Sequence, residues 1–209
     1  SEDTSRFIEA LRALGANITA DADNMVVEGV NGKLSTPKKP LYLGNNGTAM
    51  RFLASIVCLS RGAVTLTGDD RLCERPIEPL MAYLGHLGVR YRYVIKNGFP
   101  PVEIQADGLR GGYLKIQDIE SSQYISSLLL AAPYAQAPVS IMLEEGIVSR
   151  PYIDMTVQVM ADFGVTVETG ESECYQISGK MTYKGQDYVV EGDASSASYF
   201  FLAAMLSKG

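Results

Sequence analysis

Three clusters of small polar residues each precede a run of apolar residues, and they are the part of the sequence best suited to bind a ligand. They are Asn45-Asn46-Gly47-Thr48, Ser121-Ser122-Gln123 and Ser195-Ser196. The pattern is typical of helix starts, where unpaired N–H groups and the positive end of the helix dipole attract phosphates and carboxylates. Because serine and asparagine also cap helices that bind nothing, N-capping alone would explain any single cluster.

Four arginines could supply positive charge to such a ligand: Arg51, Arg71, Arg75 and Arg150. Arg75 and Arg150 each precede a proline at a predicted helix start, where the helix dipole disfavours a cation unless an anion is close. That anion is either a ligand or a carboxylate of the chain, and for Arg75 the candidates are the acidic residues at positions 69, 70 and 74. Arg51 lies one turn into an apolar helix, so it must be paired if it is buried.

The composition is that of a globular protein and excludes several classes of function. The 209 residues are 46% apolar and 20% charged, enough for one large domain or two small ones. The net charge of −6 argues against a general nucleic-acid binder but leaves room for a local cationic pocket. The single histidine, His86, excludes a metal site built from several histidines.

The cysteines and the apolar runs indicate the compartment. Cys58, Cys73 and Cys174 are odd in number and form no CxxC pair, so neither a disulfide framework nor a zinc ribbon is expected. A reducing cytoplasm is the expected location. No uninterrupted apolar run approaches the roughly 18 residues of a membrane helix, so we expect no membrane partner.

Two long segments of the chain repeat the same order of predicted elements. The polar clusters that begin at residues 45 and 121 are followed by an apolar helix, a strand and an Arg-Pro helix start, at Arg75 and again at Arg150. Each unit reads strand, helix, strand, helix, strand, strand, and half-copies lie at both ends of the sequence. The chain therefore starts and stops in the middle of a unit.

The apolar patterns differ between the two helices of a unit. Residues 126–132 and 199–206 are apolar or small almost all round, which predicts helices buried on all sides. The second helix of each unit is amphipathic, and strand residues such as Val89, Tyr91, Tyr93 and Ile95 alternate with polar ones. Together these patterns predict an α/β (α+β) fold with central helices wrapped by sheets.

Five motifs in the same order resemble one known family. They are residues 43–51, Glu74-Arg75-Pro76-Ile77, Ser121-Ser122-Gln123, residues 149–154 and residues 191–199. The chain is similar to the 5-enolpyruvylshikimate-3-phosphate (EPSP) synthases over nearly its whole length. The UDP-N-acetylglucosamine enolpyruvyl transferases share that fold, but the runs at 43–51 and 149–154 favour the shikimate enzymes.

The resemblance implies a two-lobed enzyme with pseudo-three-fold βαβαββ units and mixed four-stranded sheets in each lobe. Such an enzyme transfers the enolpyruvyl group of phosphoenolpyruvate to the 5-hydroxyl of shikimate 3-phosphate and releases phosphate, with no metal or organic cofactor. The residues that match shikimate 3-phosphate ligands are Ser121, Ser122, Gln123, Ser149 and Tyr152. Those that match the phosphoenolpyruvate site, where the herbicide glyphosate competes, are Asn45, Gly47, Arg75 and Gln123.

Two parts of the family pattern do not occur in this sequence. One is an N-terminal Gly-Ser-Lys-Ser segment, and the other is most of the second lobe, which carries the acid and base residues. We therefore expect residues 1–191 to be a shikimate-3-phosphate-binding lobe that lacks its first strand and helix, and residues 192–209 to start the second lobe. No catalytic residue is expected in this chain, so we predict weak shikimate 3-phosphate binding without turnover.

The sequence leaves the location of residues 192–209 and the class of function open. The apolar segment at 192–209 could fill the vacant slot of the first lobe, either in its own molecule or in a neighbour. The alternative to an enzyme lobe is a non-catalytic module that binds anions or serves assembly.

Overall fold

The computed structural model describes residues 2–117, 121–144, 150–170 and 173–207. The first described elements are a helix followed by a β-hairpin. These elements are α1 (Glu2–Ala13), β1 (Asn17–Ala20) and β2 (Met25–Glu28). Helix α1 buries Ala10, and Leu14 just beyond it is also buried, whereas the hairpin pairs Ile18 with Val27 in an antiparallel register.

The first complete unit follows the hairpin and forms a mixed four-stranded sheet. Its elements are β3 (Leu41–Tyr42), α2 (Gly47–Ile56), β4 (Arg61–Thr67), α3 (Asp70–Cys73), α4 (Glu78–His86), β5 (Arg90–Tyr93) and β6 (Val102–Asp107). The strand order is β3-β4-β6-β5. Strand β3 runs parallel to β4, and the other pairs are antiparallel.

The second complete unit repeats this arrangement. Its elements are β7 (Gly112–Ile116), α5 (Ser122–Ala131), β8 (Val139–Leu143), α6 (Arg150–Asp162), β9 (Glu168–Thr169) and β10 (Cys174–Ile177). The strand order is β7-β8-β10-β9, and β7 is parallel to β8. Because each strand takes the same place in both sheets, the predicted repeat and fold class are confirmed.

Helices α2 and α5 lie in the core, as their apolar sequences predict. Leu53 and Ala54 of α2 and Leu128 and Leu129 of α5 have almost no exposed surface. The second helix of each unit is followed by a glycine with a positive φ, at Gly88 (φ 91°) and at Gly164 (φ 83°). Glycine adopts this left-handed conformation without strain, so it ends the helix and turns the chain toward the next strand.

Three local expectations were wrong. Helix α7 (Ala194–Leu206) was expected to be buried on all sides, yet it contains no buried residue; an apolar sequence requires a partner surface, and no surface of the described chain covers this helix. Strand β5 ends at Tyr93, which leaves Ile95 82% exposed in the turn before β6. Pro76 precedes α4, and Pro79 takes the place in its first turn instead.

Within the described residues, no helix combines the length and the apolar character needed to cross a bilayer.

Candidate functional site: the amino ends of two central helices

The amino end of α2 is held by Asn46. Its side-chain oxygen accepts a hydrogen bond from the Ala49 N–H at 2.8 Å, and its amide nitrogen donates to the Asp3 carbonyl at 2.9 Å. Asn46 is buried, whereas Asn45 is exposed. Asn45 lines a small polar cavity of about 160 Å³ shared with Glu2 and Asp69. Of the two asparagines, Asn46 is thus the helix cap, and Asn45 stays accessible.

The amino end of α5 is held by Ser121 in the same way. Its backbone is extended, and its hydroxyl oxygen accepts a hydrogen bond from the Gln123 N–H at 3.3 Å. Ser122 begins the helix and is buried. N-capping therefore accounts for one role of Ser121, although its hydroxyl also takes part in a second contact.

Side chains from α2 and α5 connect the two amino ends directly. The Arg51 guanidinium donates from Nη1 to Gln123 Oε1 at 2.6 Å and to Ser121 Oγ at 3.2 Å. Gln123 Nε2 donates to Thr48 Oγ1 at 3.1 Å. One turn further along α5, the Ser127 hydroxyl donates to the Arg51 carbonyl at 2.6 Å. The expected convergence is thus confirmed for the first two polar clusters.

The third cluster does not join them in this structure. Ser195 and Ser196 donate their N–H groups to the Asp193 carboxylate, which caps α7. Hydrogen bonds from Ser196 and Ser195 lower the pKa of Asp193. This capping, on an exposed helix, is the simpler of the two interpretations that the sequence offered.

Arg75 lies against the start of α2. A Cβ atom placed on Gly47 would be 2.7 Å from Arg75 Nη1, so only a glycine leaves this guanidinium its position. No carboxylate of the described residues lies within salt-bridge distance of Arg75, and the three acidic candidates near it in sequence are therefore not its partners. The positive charge of Arg75 is left without a counter-ion from the described chain.

Tyr124 links the loop of Arg75 to helix α5. Its ring is buried, and its hydroxyl donates to the Pro76 carbonyl at 2.9 Å. The centre of the same ring lies 5.1 Å from the Arg51 guanidinium carbon, a distance at which a cation is attracted to the face of an aromatic ring. Tyr124 therefore contacts both the arginine of α2 and the segment that carries Arg75.

Helix α6 carries Tyr152 and is linked to α5 through Thr156. Tyr152 is 56% exposed on the first turn. Its carbonyl accepts a hydrogen bond from the Thr156 hydroxyl at 2.8 Å, and Thr156 in turn lies 2.7 Å from the hydroxyl of Ser126 on α5. Ser149, which precedes α6, lies outside the described residues.

Arg150 differs from Arg75 in having carboxylate partners. It pairs with Glu173 and lies 3.8 Å from Asp154 one turn along the helix. Of the two arginines that precede prolines, Arg150 is therefore neutralised by the chain itself.

One residue of the site was missed by sequence reasoning, and two were found without their roles. Tyr124 stands beside a recognised motif, but its type is common in any helix. Thr48 was named within the first polar cluster, but its contact with Gln123 was not foreseen. Arg51 was recognised as a cation that needs a partner, and its partners proved to be a serine and a glutamine 70 and 72 positions away. The only sequence feature that indicated a role for Arg51 was the presence of an arginine in an apolar helix.

The arrangement is suited to bind oxyanions. It combines two helix amino ends, the hydroxyls of Ser121 and Ser122, the amide of Gln123 and the charge of Arg75. Oriented N–H and O–H donors with fixed positive charge stabilise phosphate and carboxylate groups.

Comparison with known proteins identifies relatives over the full chain. The family model for EPSP synthase (3-phosphoshikimate 1-carboxyvinyltransferase) matches residues 1–209. The 3-phosphoshikimate 1-carboxyvinyltransferase of Photobacterium profundum is 43% identical over 213 residues, which cover 100% of this chain and 50% of that protein. The enzyme of the same name from Actinobacillus pleuropneumoniae is 44% identical, with the same coverage.

A solved structure agrees with this match. The EPSP synthase from Acinetobacter baumannii superimposes with a TM-score of 0.85 at 28% identity, and the match covers 100% of this chain and 47% of that one. The chain thus spans about half the length of the curated relatives it matches.

Proposed function

Because the chain belongs to the EPSP synthase family, we propose that it forms the shikimate-3-phosphate-binding lobe of an enolpyruvyl transferase. In this reaction the 5-hydroxyl oxygen of shikimate 3-phosphate forms a bond to carbon 2 of phosphoenolpyruvate. Carbon 3 takes up a proton as the hydroxyl gives one up; the tetrahedral intermediate then loses phosphate from carbon 2 and a proton from carbon 3, and the enolpyruvyl group remains on the oxygen at position 5. The observation that carries the proposal is the convergence of the amino ends of α2 and α5 beside an arginine that has no counter-ion among the described residues.

We assign shikimate 3-phosphate to the α5 side of the site. Its ligands are Ser121, Ser122, Gln123, Ser149 and Tyr152. In support, Ser121 to Gln123 form the amino end of a buried helix, where a phosphate is stabilised by N–H groups and by the helix dipole. Tyr152 is on the neighbouring helix with its ring accessible.

We assign phosphoenolpyruvate to the α2 side. Its ligands are Asn45, Gly47, Arg75 and Gln123. The uncompensated guanidinium of Arg75 lies against the glycine that opens α2, and a multiply charged anionic substrate would supply the missing counter-charge. We assign Gln123 to both substrates, and its hydrogen bond to Thr48 across the site supports this assignment.

We further propose that turnover requires groups from outside this chain. The family's acid and base residues belong to the second lobe, and the assigned ligands are hydroxyls, amides, a glycine and an arginine, none of which suits proton transfer near neutral pH. We also propose a cytoplasmic location, because the three cysteines are free thiols, as is usual in a reducing compartment.

Calorimetry tests the substrate assignment. Shikimate 3-phosphate and inorganic phosphate are titrated into the purified chain, with Tyr152→Phe as a variant and Tyr188→Phe, on a different surface, as its control. A clear preference for shikimate 3-phosphate that weakens in the Tyr152 variant alone is expected. Equal affinity for both ligands would instead support a general anion-binding module.

We propose that residues 192–209 begin the second lobe, and that α7 of the isolated chain docks on a second copy. An apolar cavity of about 830 Å³ lies between the β-hairpin and the carboxyl ends of α2 and α5, lined by Met25, Val27, Ile56, Leu59, Leu130 and Phe163 among others. Helix α7 exposes Phe200 (77%) and Met205 (84%), and an apolar surface of this kind favours association.

Sedimentation tests the docking. The full chain should form a concentration-dependent dimer, and deletion of residues 192–209 should abolish it. A monomer at all concentrations, with or without these residues, would rule out the exchange of α7 between copies.

A further inference from the structure

We propose that Arg51 is a positioning residue that makes Ser121 and Gln123 present hydrogen-bond donors to the bound anion. The proposal deepens the function proposed above and rests on it. Arg51 is not among the residues assigned to either substrate. Its guanidinium instead contacts two of those residues, and both contacts involve an oxygen that would otherwise be free to accept a hydrogen bond.

The first contact fixes the orientation of the Gln123 side chain. An amide has an acceptor oxygen and a donor nitrogen, and a rotation by 180° exchanges them with little change in shape. Thr48 cannot decide between the two orientations, because its hydroxyl both donates and accepts. Arg51 can, because a guanidinium only donates and therefore requires the oxygen, Oε1, on its side at 2.6 Å.

The orientation leaves a donor for the ligand. Gln123 Nε2 carries two N–H groups, of which one donates to Thr48 Oγ1 at 3.1 Å. The second N–H is available to an anion. In the opposite orientation the amide oxygen would take this place, and its lone pairs would repel a phosphate or carboxylate.

The second contact acts on Ser121 in the same sense. Its hydroxyl oxygen accepts from Arg51 Nη1 at 3.2 Å and from the Gln123 N–H at 3.3 Å. A hydroxyl has two acceptor positions and one proton. Since both acceptor positions are occupied, the hydroxyl proton of Ser121 remains to be donated to a bound anion.

Arg51 is itself held in place by groups that do not neutralise it. The Tyr124 ring centre lies 5.1 Å from its guanidinium carbon, and the Ser127 hydroxyl donates to its backbone carbonyl at 2.6 Å. No Asp or Glu in the described ranges forms a salt bridge with the guanidinium. Its charge therefore remains to polarise Ser121 and Gln123 toward an anion.

Binding of shikimate 3-phosphate to the purified chain tests the proposal by calorimetry. Arg51→Met should weaken binding about tenfold or more, because both donors lose their fixed orientation; tenfold corresponds to about 1.4 kcal/mol. The affinity of Arg51→Lys should lie between those of the wild type and Arg51→Met, since an ammonium can donate to Gln123 Oε1 but lacks the planar donor geometry of a guanidinium. Arg92→Met, which replaces an exposed arginine paired with Glu103 in the first four-stranded sheet, is the control and should bind like the wild type.

A second measurement separates positioning from a purely structural role. In ¹⁵N spectra of the ligand-free protein, the Gln123 side-chain amide should give two distinct, exchange-protected proton signals in the wild type. In Arg51→Met both signals should shift toward the positions of a free glutamine amide, and their protons should exchange faster with water. The backbone amide spectrum should remain that of a folded protein. If Arg51→Met does not fold, the comparison is made with Arg51→Ala, which also removes every donor at position 51.

The outcomes are distinguishable. If the wild type does not bind shikimate 3-phosphate, the proposed function fails, and the amide signals alone decide the role of Arg51. If folded Arg51→Met keeps wild-type affinity, or if the Gln123 amide signals are the same in both proteins, Arg51 does not position these side chains and the inference is overturned.

Discussion

The Tyr124 hydroxyl donates a 2.9 Å hydrogen bond to the carbonyl of Pro76, and this bond joins a buried helix to the loop that carries Arg75. The two residues are 48 positions apart, one in each repeat unit. The face of the same ring is in contact with Arg51. One aromatic side chain thus contacts both the arginine of α2 and the loop that carries Arg75.

Replacement of Tyr124 by phenylalanine should loosen the Arg75 loop while the ring stays beside Arg51. The loss of a buried hydrogen bond should lower the free energy of unfolding by about 1 kcal/mol and leave the Pro76 carbonyl unsatisfied. Urea unfolding and amide exchange at Ile77 measure the two effects. Tyr42→Phe is the matched control, because that exposed ring also stacks on an arginine, Arg6; an equal loss in both variants would contradict the assigned bond.

Replacement of Gly47 by alanine should separate stability from ligand binding. The new Cβ would meet the flexible end of Arg75 at 2.7 Å, so the side chain moves and the fold survives. Alanine in a helix is favoured over glycine by at most about 1 kcal/mol, so stability should hold or rise. Binding of phosphoenolpyruvate, measured by calorimetry in the presence of the complete second lobe, should weaken.

The control for Gly47→Ala is Gly85→Ala near the end of α4. Its Cβ would contact only the Tyr91 ring, at 3.4 Å, and not the Arg75 side chain. Unchanged phosphoenolpyruvate affinity in Gly47→Ala would show that substrate binding does not depend on the position that the Arg75 guanidinium takes beside Gly47.

Much of this fold was predictable from the sequence because the signals are local. The recurrence of a polar cluster, an apolar helix and an Arg-Pro pair indicated the order of elements, and the resulting sheets have equivalent strand orders. The helix starts at Asn46 and Ser121 follow from capping chemistry. Burial is different, because it depends on a partner: α5 and α7 have similar apolar sequences, but only α5 is enclosed.

The contacts within the site were less accessible to sequence reasoning. Gln123 and Arg51 are 72 positions apart, and no local pattern states which serine or glutamine a half-buried arginine will meet. The position of Arg75 away from carboxylates was equally hidden, since acidic residues stand at positions 69, 70 and 74 just before it. Their side chains take other directions in the folded loop.

Cys58 and Cys73 should differ strongly in reactivity. Burial raises the pKa of the Cys58 thiol to about 12, so at neutral pH almost none of it is the reactive thiolate. Cys73, at the end of α3 and close to Arg75 in sequence, is only half-buried. A chromogenic disulfide reagent should therefore label Cys73 first and Cys58 only upon unfolding.

The Cys73→Ser variant assigns the fast phase of labelling. This substitution should eliminate that phase and leave the slow one. Rapid labelling of Cys58 in the folded protein would mean that the core around α2 opens far more readily than its packing indicates.

The cap of α7 should be sensitive to acid. Hydrogen bonds from Ser196 and Ser195 lower the pKa of Asp193 below 3.8 in the folded chain. A carboxyl whose pKa is depressed by folding stabilises the helix above its ordinary pKa, and this contribution disappears as the pH falls through the lowered value. Carboxyl-carbon NMR should show Asp193 titrating below its ordinary pKa as the Ser195 and Ser196 amide signals shift with it.

Asparagine at position 193 provides the control for this titration, because it caps a helix without ionising. In Asp193→Asn the amide signals of Ser195 and Ser196 should be independent of pH over the same range. A titration of Asp193 at or above its ordinary pKa would contradict the capping geometry.

Positions 48, 51 and 123 meet across the boundary between the two units, through the Arg51–Gln123 and Gln123–Thr48 hydrogen bonds. A mutation at one of these positions leaves a hydrogen-bonding group of the other unit without its partner. A second change within the mutated unit does not restore that hydrogen bond. The sequences of the two repeat units are therefore not free to change independently at these positions. Among orthologues, exchanges at 51 should be accompanied by exchanges at 123 more often than by any change nearer in the chain.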